Sequence, residues 1–450
     1  ARTRSGHPPP HYTDSSSLHN TRIPLDFPSN RLRRPRWSPR TPSTMTPPDP
    51  SLSNATPTTP GDSLPHPLGL TSDQFIKAYA GRIILDRIGG APGALLAYRR
   101  LFRSANLEGL RQAVPHFETP AVATLLRDQC PEGDVLKFSL RVPGTTLGIP
   151  GSLHGTRTFD QLATESVLIP MIGRKRRLTH TLCVSSQVGC AMGCRFCETA
   201  QMGLIRHLEP HEIVAQWFAA THAVGIRPAN MVFMGMGEPM DNLDNVLQAI
   251  DVLKDNNGAG MPISKITIST VGRVDGILRL AEHIHQPGWR RLNLAISLNA
   301  PNDEVRSDLM PINRRWNMAE LQAALLQFPI YGGGKLCIEY VLIPDVNDLP
   351  HHAKEIADFV APINAHYQHE TLRGVPRVMI NLIPYNPRRN SPWPAPTEEA
   401  VDRFIDLLNA HNVYVKRRRT KGRDLMGACG QLGSAEIRQR KLVQVGLPKP

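Results

Sequence analysis

From Leu178 onward the apolar residues follow two alternating patterns. Short runs rich in Val, Ile, Leu and Met predict strands at residues 181–186, 231–236, 265–270, 292–298, 336–342 and 378–383. Between and after them, apolar positions spaced three and four apart predict helices at 211–223, 243–254, 274–283, 318–326, 351–360 and 397–410. Strands alternating with helices predict an α/β fold in which a parallel sheet is covered by helices. Six such units fall short of a closed eight-stranded barrel. The expected core is therefore a partial, open (β/α)6 barrel over 178–432, with its chemistry at the C-terminal ends of the strands.

Upstream the pattern changes. Phe75, Ile76, Tyr79, Ile83 and Ile84 recur at helical spacing, and Leu95, Leu96, Tyr98, Leu101 and Phe102 do so after Gly89-Gly90. These predict a small helical domain over 67–130, carrying Arg82, Arg87, Arg99, Arg100 and Arg103 as a candidate RNA contact. Residues 131–177 read as a short β connecting element that closes on Arg174-Lys175-Arg176-Arg177. Residues 1–66 have no apolar periodicity and hold 14 of the 41 prolines, so they read as a disordered extension. The extension is rich in Arg and Ser and poor in acids, as organelle transit peptides are, while Met45 offers an alternative start. Both readings stand, and without a transit segment the expected location is the cytoplasm. Residues 433–450 read as a tail.

Composition narrows the function classes. No run approaches the ~20 apolar residues that a membrane-spanning helix needs. Seven cysteines in 450 residues are too sparse for a disulfide scaffold. The net charge of +13 points to a polyanionic partner, nucleic acid first, against the plainer reading of a solvated basic surface.

The strongest chemical signal is Cys190-Ala191-Met192-Gly193-Cys194-Arg195-Phe196-Cys197, in a loop just after the first barrel strand. Iron–sulfur clusters are held by cysteine thiolates, usually four. Three local ligands would leave one iron of a [4Fe–4S] cluster open to an outside molecule. Zinc competes but favours four ligands in paired spacing, and inert buried thiols are the third reading. Gly237-Glu238 ends the second strand, where a glycine admits a ligand and a carboxylate can accept from an ammonium. Ser269, Ser297, Leu298, Asn299 and Asn386 end later strands on the same rim. Taken singly they also read as turn residues. Cys429 lies among Gly427, Ala428 and Gly430, after Lys416, Arg417, Arg418, Arg419, Lys421 and Arg423. Those cations would lower a thiol pKa or grip phosphates; an inert buried cysteine is the alternative. Cys130 and Cys337 match no motif and read as structural.

The cysteine loop resembles that of the radical S-adenosylmethionine (SAM) superfamily. Residues 182–190 (Leu-Cys-Val-Ser-Ser-Gln-Val-Gly-Cys), 235–239 (Gly-Met-Gly-Glu-Pro), 297–303 (Ser-Leu-Asn-Ala-Pro-Asn-Asp) and 428–432 (Ala-Cys-Gly-Gln-Leu) resemble, in order, the RlmN/Cfr adenosine methyltransferases. The match runs from about residue 164 to 432. It implies a [4Fe–4S] cluster on Cys190, Cys194 and Cys197, cleavage of SAM to a 5′-deoxyadenosyl radical, and SAM contacts from Gly237, Glu238, Ser269, Ser297, Leu298, Asn299 and Asn386. It further implies that Cys429 carries the methyl group as S-methylcysteine. Cys183 then pairs transiently with Cys429 in a disulfide, and Glu165 accepts a proton. The implied product is adenosine methylated at an sp² carbon, commonly C2 and more rarely C8, in rRNA and/or tRNA. The base must leave its stack to be reached. An electron donor such as flavodoxin or ferredoxin and a monomeric enzyme complete the expectation.

Four places depart from the family's pattern. Asn299 replaces His, Glu198 replaces Ser or Ala, His207-Leu208-Glu209 replaces Asn-Leu-Thr, and Lys421-Gly422-Arg423 replaces an Arg-Gly stretch. Two other classes compete: a methylthiotransferase, for whose second cluster the remaining cysteines are too scattered, and an inactive iron–sulfur RNA-binding protein.

Overall fold

The computed structural model describes residues 64–148, 156–173, 177–331, 336–367 and 376–433. Residues 1–63 of the expected disordered extension, nearly all of the tail and Arg174–Arg176 lie outside the described residues, while 64–66 are described and His66 caps a helical turn at Pro67–Gly69.

A capping box opens the first helix. The Thr71 hydroxyl accepts from the Gln74 amide, and the Gln74 side chain accepts from the Thr71 amide. Helices α1 (Ser72–Tyr79) and α2 (Gly90–Ser104) bury Phe75, Tyr79, Tyr98 and Phe102, with rings 4.4 Å apart in the first pair and 4.7 Å in the last. The short α3 (Leu110–Ala113) ends the helical segment.

Here the structure corrects the expected boundaries. Residues 122–130 are not helical; they form strand β1 (Val122–Cys130). Residues 131–177 are not a short connector, because β2 (Gly133–Gly148) and β3 (Thr156–Ile172) are long strands. The three pair antiparallel in the order β1-β2-β3. β1 is an edge strand whose Leu125 and Leu126 are both exposed, so its sequence lacks the alternation that burial of one face would impose.

β4 (Leu178–Cys183) joins this hairpin array to the barrel, pairing antiparallel with β3 and parallel with a later strand. β5 (Gln187–Gly189) and β6 (Leu204–His207) form a separate antiparallel pair around the cysteine loop. Then come α4 (Pro210–Phe218), β7 (Asn230–Phe233), α5 (Leu243–Lys254), β8 (Ile266–Thr270), α6 (Val274–His283) and β9 (Asn293–Ser297). α7 (Asp303–Leu309), α8 (Met318–Gln327), β10 (Leu336–Leu342), α9 (Pro350–Tyr367), β11 (Val378–Pro384), α10 (Glu398–Ala410) and β12 (Val415–Arg417) complete the order. The sheet runs β1-β2-β3-β4-β7-β8-β9-β10-β11-β12, parallel from β4 onward. The six expected strands are present, and β12 adds a parallel edge. This is the expected partial (β/α)6 barrel, widened by an antiparallel wing.

Three arginines of the helical segment are committed inside the molecule. Arg99 donates to Asn257 Oδ1 and Arg103 to the Asn256 carbonyl, both just beyond α5. Arg100 pairs with Asp86 and Glu108. The segment's arginines thus tie it to the barrel and to itself.

Candidate active site

The cysteine loop hangs from β5 and β6. Gly189 adopts φ +76°, and a Cβ there would collide with the Gly203 carbonyl, to which the Cys190 amide donates at 2.9 Å. The Arg195 amide donates to Leu309 O at 2.9 Å, and Gln201 Nε2 reaches the carbonyls of Cys194 and Cys197. The three thiols line one cavity of about 140 Å³. Burial, and behind it the neighbouring thiols, pushes Cys190 and Cys194 well above the usual thiol range; burial raises Cys197 as well. Thiolates crowded this way require a cationic partner. Three soft sulfur donors from one loop facing one cavity fit an iron–sulfur cluster held by three thiolates.

The barrel rim forms the rest of this cavity. Gly235 passes so close to β4 that a Cβ would stand 2.6 Å from the Val184 carbonyl. Gly237 has φ +100°, and a Cβ would stand 2.5 Å from Gln187 Cβ. Only glycine fits both sites without strain. Glu238 is buried and accepts from the amides of Met240 at 3.0 Å and Val271 at 2.9 Å. Burial pushes its carboxyl up to about 7 against the pull of those amides. Ser269, Ser297 and Asn299 share the lining. Asn299 takes φ +55°, a conformation that asparagine tolerates better than most residues. Its side-chain oxygen accepts from the Val341 amide at 2.9 Å. Fully buried Arg306 ties the rim loops together through the carbonyls of Leu298 at 3.2 Å and Val271 at 2.5 Å.

A second cavity of about 570 Å³ runs through the barrel interior, lined by Cys183, Asn230, Asn293, Asn381, Lys416 and Lys421 among others. Cys429, Glu339 and Arg418 line both cavities. The Cys429 loop is strapped across the cysteine loop: the Glu198 amide donates to Gly430 O at 2.7 Å and Thr199 Oγ1 to Leu432 O at 2.6 Å. Glu198 also accepts from the Arg389 amide at 3.2 Å, which gives this departure from the family pattern a structural use.

Three comparisons with known proteins agree. The family model of the Radical SAM superfamily matches residues 184–360. The "Probable dual-specificity RNA methyltransferase RlmN 1" of Protochlamydia amoebophila is 39% identical over 365 residues, 81% of this chain and 94% of that protein. The dual-specificity RNA methyltransferase RlmN of Anaeromyxobacter dehalogenans is 39% identical over 345 residues, 75% of this chain and 85% of its own length. This chain belongs to the RlmN family. A solved radical SAM methyltransferase from Sphaerobacter thermophilus is 31% identical, with a TM-score of 0.62 over 81% of this chain and 98% of its own. Membership makes the protein a radical SAM RNA methyltransferase with a [4Fe–4S] cluster and SAM as cofactors.

Not every expected site residue gathers in the RlmN cofactor cavity. Leu298 is fully buried in the core, so its side chain lines neither cavity. Asn386 lines the larger cavity, where its Oδ1 accepts from Arg423 Nε at 3.3 Å. Cys183 lines the larger cavity, with its thiol pushed up to about 12 by burial and further by nearby Cys429, while Arg418 pulls it down. All seven cysteines are free. Glu165 lines neither cavity. Its carboxylate pairs with Lys137 Nζ at 3.1 Å and accepts from the Gly433 amide at 2.7 Å. Glu339 was missed by sequence reasoning, although an acid inside the apolar run of β10 is a visible signal; it accepts from Asn381 Nδ2 at 2.8 Å. Arg418 was seen only as one of six cations, and nothing local singles it out.

Proposed function

We propose that this chain methylates C2 of an adenine in rRNA and/or tRNA, with Cys429 carrying the methyl group between two sites. The observation that carries the reading is that Cys429 borders both cavities, one lined by Cys190, Cys194 and Cys197 and the other large enough for a flipped nucleoside. The three cysteines would hold the cluster, and Gly237, Glu238, Ser269, Ser297 and Asn299 would hold SAM. Leu298 would contribute backbone only. Asn386 would act from the other side of the loop. Bound there, cluster and SAM supply a methyl donor and an organic radical able to remove a hydrogen atom from a methyl group.

The protein's own groups do the rest. Glu238, when ionised, accepts from the ammonium of SAM. The Cys429 thiol takes a methyl group on the cofactor side. Its loop presents that group, less one hydrogen atom, to the base in the larger cavity. The Cys183 thiolate attacks the Cys429 sulfur: the S–S bond forms as the S–CH2 bond breaks, its electron pair passes to the base, and a proton from water completes the methyl group. Glu165 takes the proton leaving the ring carbon, which ends its attraction for Lys137, and the unpaired electron of the adduct would return to the bound cluster. Lys416 and Arg419 suit phosphates near the cavity. We further propose a flavodoxin or ferredoxin as the electron donor, a monomeric enzyme and a cytoplasmic location. No helix among the described residues is long and apolar enough to cross a membrane.

The test is nucleoside mass spectrometry after anaerobic reaction of the reconstituted protein with SAM, reductant and unmodified rRNA or tRNA. The reading expects 2-methyladenosine from the native chain and none from Cys429→Ala. 8-Methyladenosine would move the reaction to the other ring carbon. SAM cleavage without any methyladenosine would overturn the substrate.

A further inference from the structure

Lys137 is a buried cation far in sequence from every motif, on the β2 strand of the antiparallel wing. Its ammonium pairs with Glu165 Oε1 at 3.1 Å and donates to the carbonyls of Met426 at 3.1 Å and Leu425 at 3.4 Å. Both side chains of the ion pair are about nine-tenths buried. Glu165, on the neighbouring strand β3, accepts from the Gly433 amide through its other oxygen. One ion pair therefore touches the segment carrying Cys429 at two places, three residues before the thiol and four after it. The Lys137 stem lies against Gly427, where a Cβ would stand 3.7 Å from Lys137 Cδ.

We infer that the Lys137–Glu165 pair is a clamp that holds the Cys429 loop in its methyl-carrying position, with Lys137 as a positioning residue for the reaction. The geometry is economical. An ammonium has three donors and no acceptor, and here it meets a carboxylate oxygen and two loop carbonyls. A carboxylate with two oxygens can hold the ammonium and the Gly433 amide together. Burial strengthens each contact, because little water competes. The hydrogen bonds to Glu198 and Thr199 hold the loop against the cysteine segment.

The clamp has a consequence for timing, and this part rests on the reading of Glu165 as the proton acceptor. A proton arriving at Oε1 neutralises the carboxylate and removes its attraction for Lys137. The loop loses one of its two anchors as Cys183 must reach Cys429. Glu165→Gln keeps the shape without the charge and imitates that protonated state.

The test is hydrogen–deuterium exchange on the cluster-loaded protein without RNA. Lys137→Met should speed exchange of the amides of 425–433 by roughly tenfold or more while leaving α5 unchanged. Glu165→Gln should speed it less, since the Lys137 bonds to the two carbonyls remain. Turnover adds a reading that a merely structural residue would not move. Lys137→Met should raise the ratio of 5′-deoxyadenosine to methyladenosine by about tenfold, because radical is made with no methyl group in place; Lys137→Arg should restore part of the coupling. If Lys137→Met does not fold, Lys137→Met/Glu165→Met removes both buried charges and carries the same expectation for loop exchange. Unchanged loop exchange in the folded variants overturns the clamp. So does a loss of 5′-deoxyadenosine and methyladenosine in equal proportion. Because exchange is read without RNA, the clamp can fail or stand independently of the substrate reading, which fails only if the native chain makes no methyladenosine.

Discussion

At the scale of single residues, the site depends on groups whose environment makes them unusual. Glu238 is the clearest. Its carboxyl is raised to about 7 by burial, so it is protonated below that pH and ionised above it. A protonated carboxyl cannot offer charge to the ammonium of SAM. SAM affinity should therefore be full above about pH 7 and weaken on acidification, approaching tenfold per pH unit below it. Isothermal titration across pH 5.5–8.5 checks this, and Glu238→Gln should flatten the profile. Gly237 makes a second case. Ala there meets both a positive φ and Gln187, so Gly237→Ala should cost about 1–3 kcal/mol of local strain and weaken SAM binding at least ~10-fold. The motif glycine and acid were visible in the sequence as chemistry. The reason for them, backbone approach to Gln187 on β5 and a carboxylate shut away from water, was not.

At the scale of elements, the strands of the barrel were legible because burial on both faces makes continuous apolar runs. β10 and the helices α5 and α6 fall where the pattern places them. β1 was not legible, since an edge strand with exposed leucines carries no alternation. The rim was legible in part. Ser269, Ser297 and Asn299 do share a cavity, but Leu298 and Asn386 point elsewhere, because the chain turns at a strand end and adjacent residues face different sides. Arg306 on α7 holds two of these rim loops by their carbonyls. Replacing it by Ala leaves buried acceptors unpaired. Arg306→Ala should lower unfolding stability by roughly 3 kcal/mol and loosen SAM binding together, as read by denaturant melts and titration.

At the scale of the whole molecule, the arrangement is two cavities divided by a loop from the far end of the chain. Nothing in a linear pattern places residue 429 between residues 183 and 197; only the barrel's closure does. The net charge of +13 predicted a polyanion, yet Arg99, Arg100 and Arg103 are committed within the fold. Beside the larger cavity Lys421 is likewise held by Glu132 and the Pro170 carbonyl, which leaves Lys416 and Arg419, the latter 3.6 Å from Glu132, as the better candidates for RNA contact. Arg419 is 80% exposed on its side chain. Arg419→Ala should weaken RNA binding and reduce the salt slope of the binding constant by about 0.7–1, with little effect on SAM affinity; filter binding at several salt concentrations reads this.

The central claim is that the methyl group rests on Cys429 and loses a hydrogen atom before reaching the base. SAM with a trideuterated methyl group tests it most directly, once the chain has been pre-loaded with that methyl. Mass spectrometry of the product should find methyladenosine carrying two of the three deuterium atoms, with one deuterium in 5′-deoxyadenosine. A product retaining all three would mean direct transfer from SAM to the base, and would contradict the account.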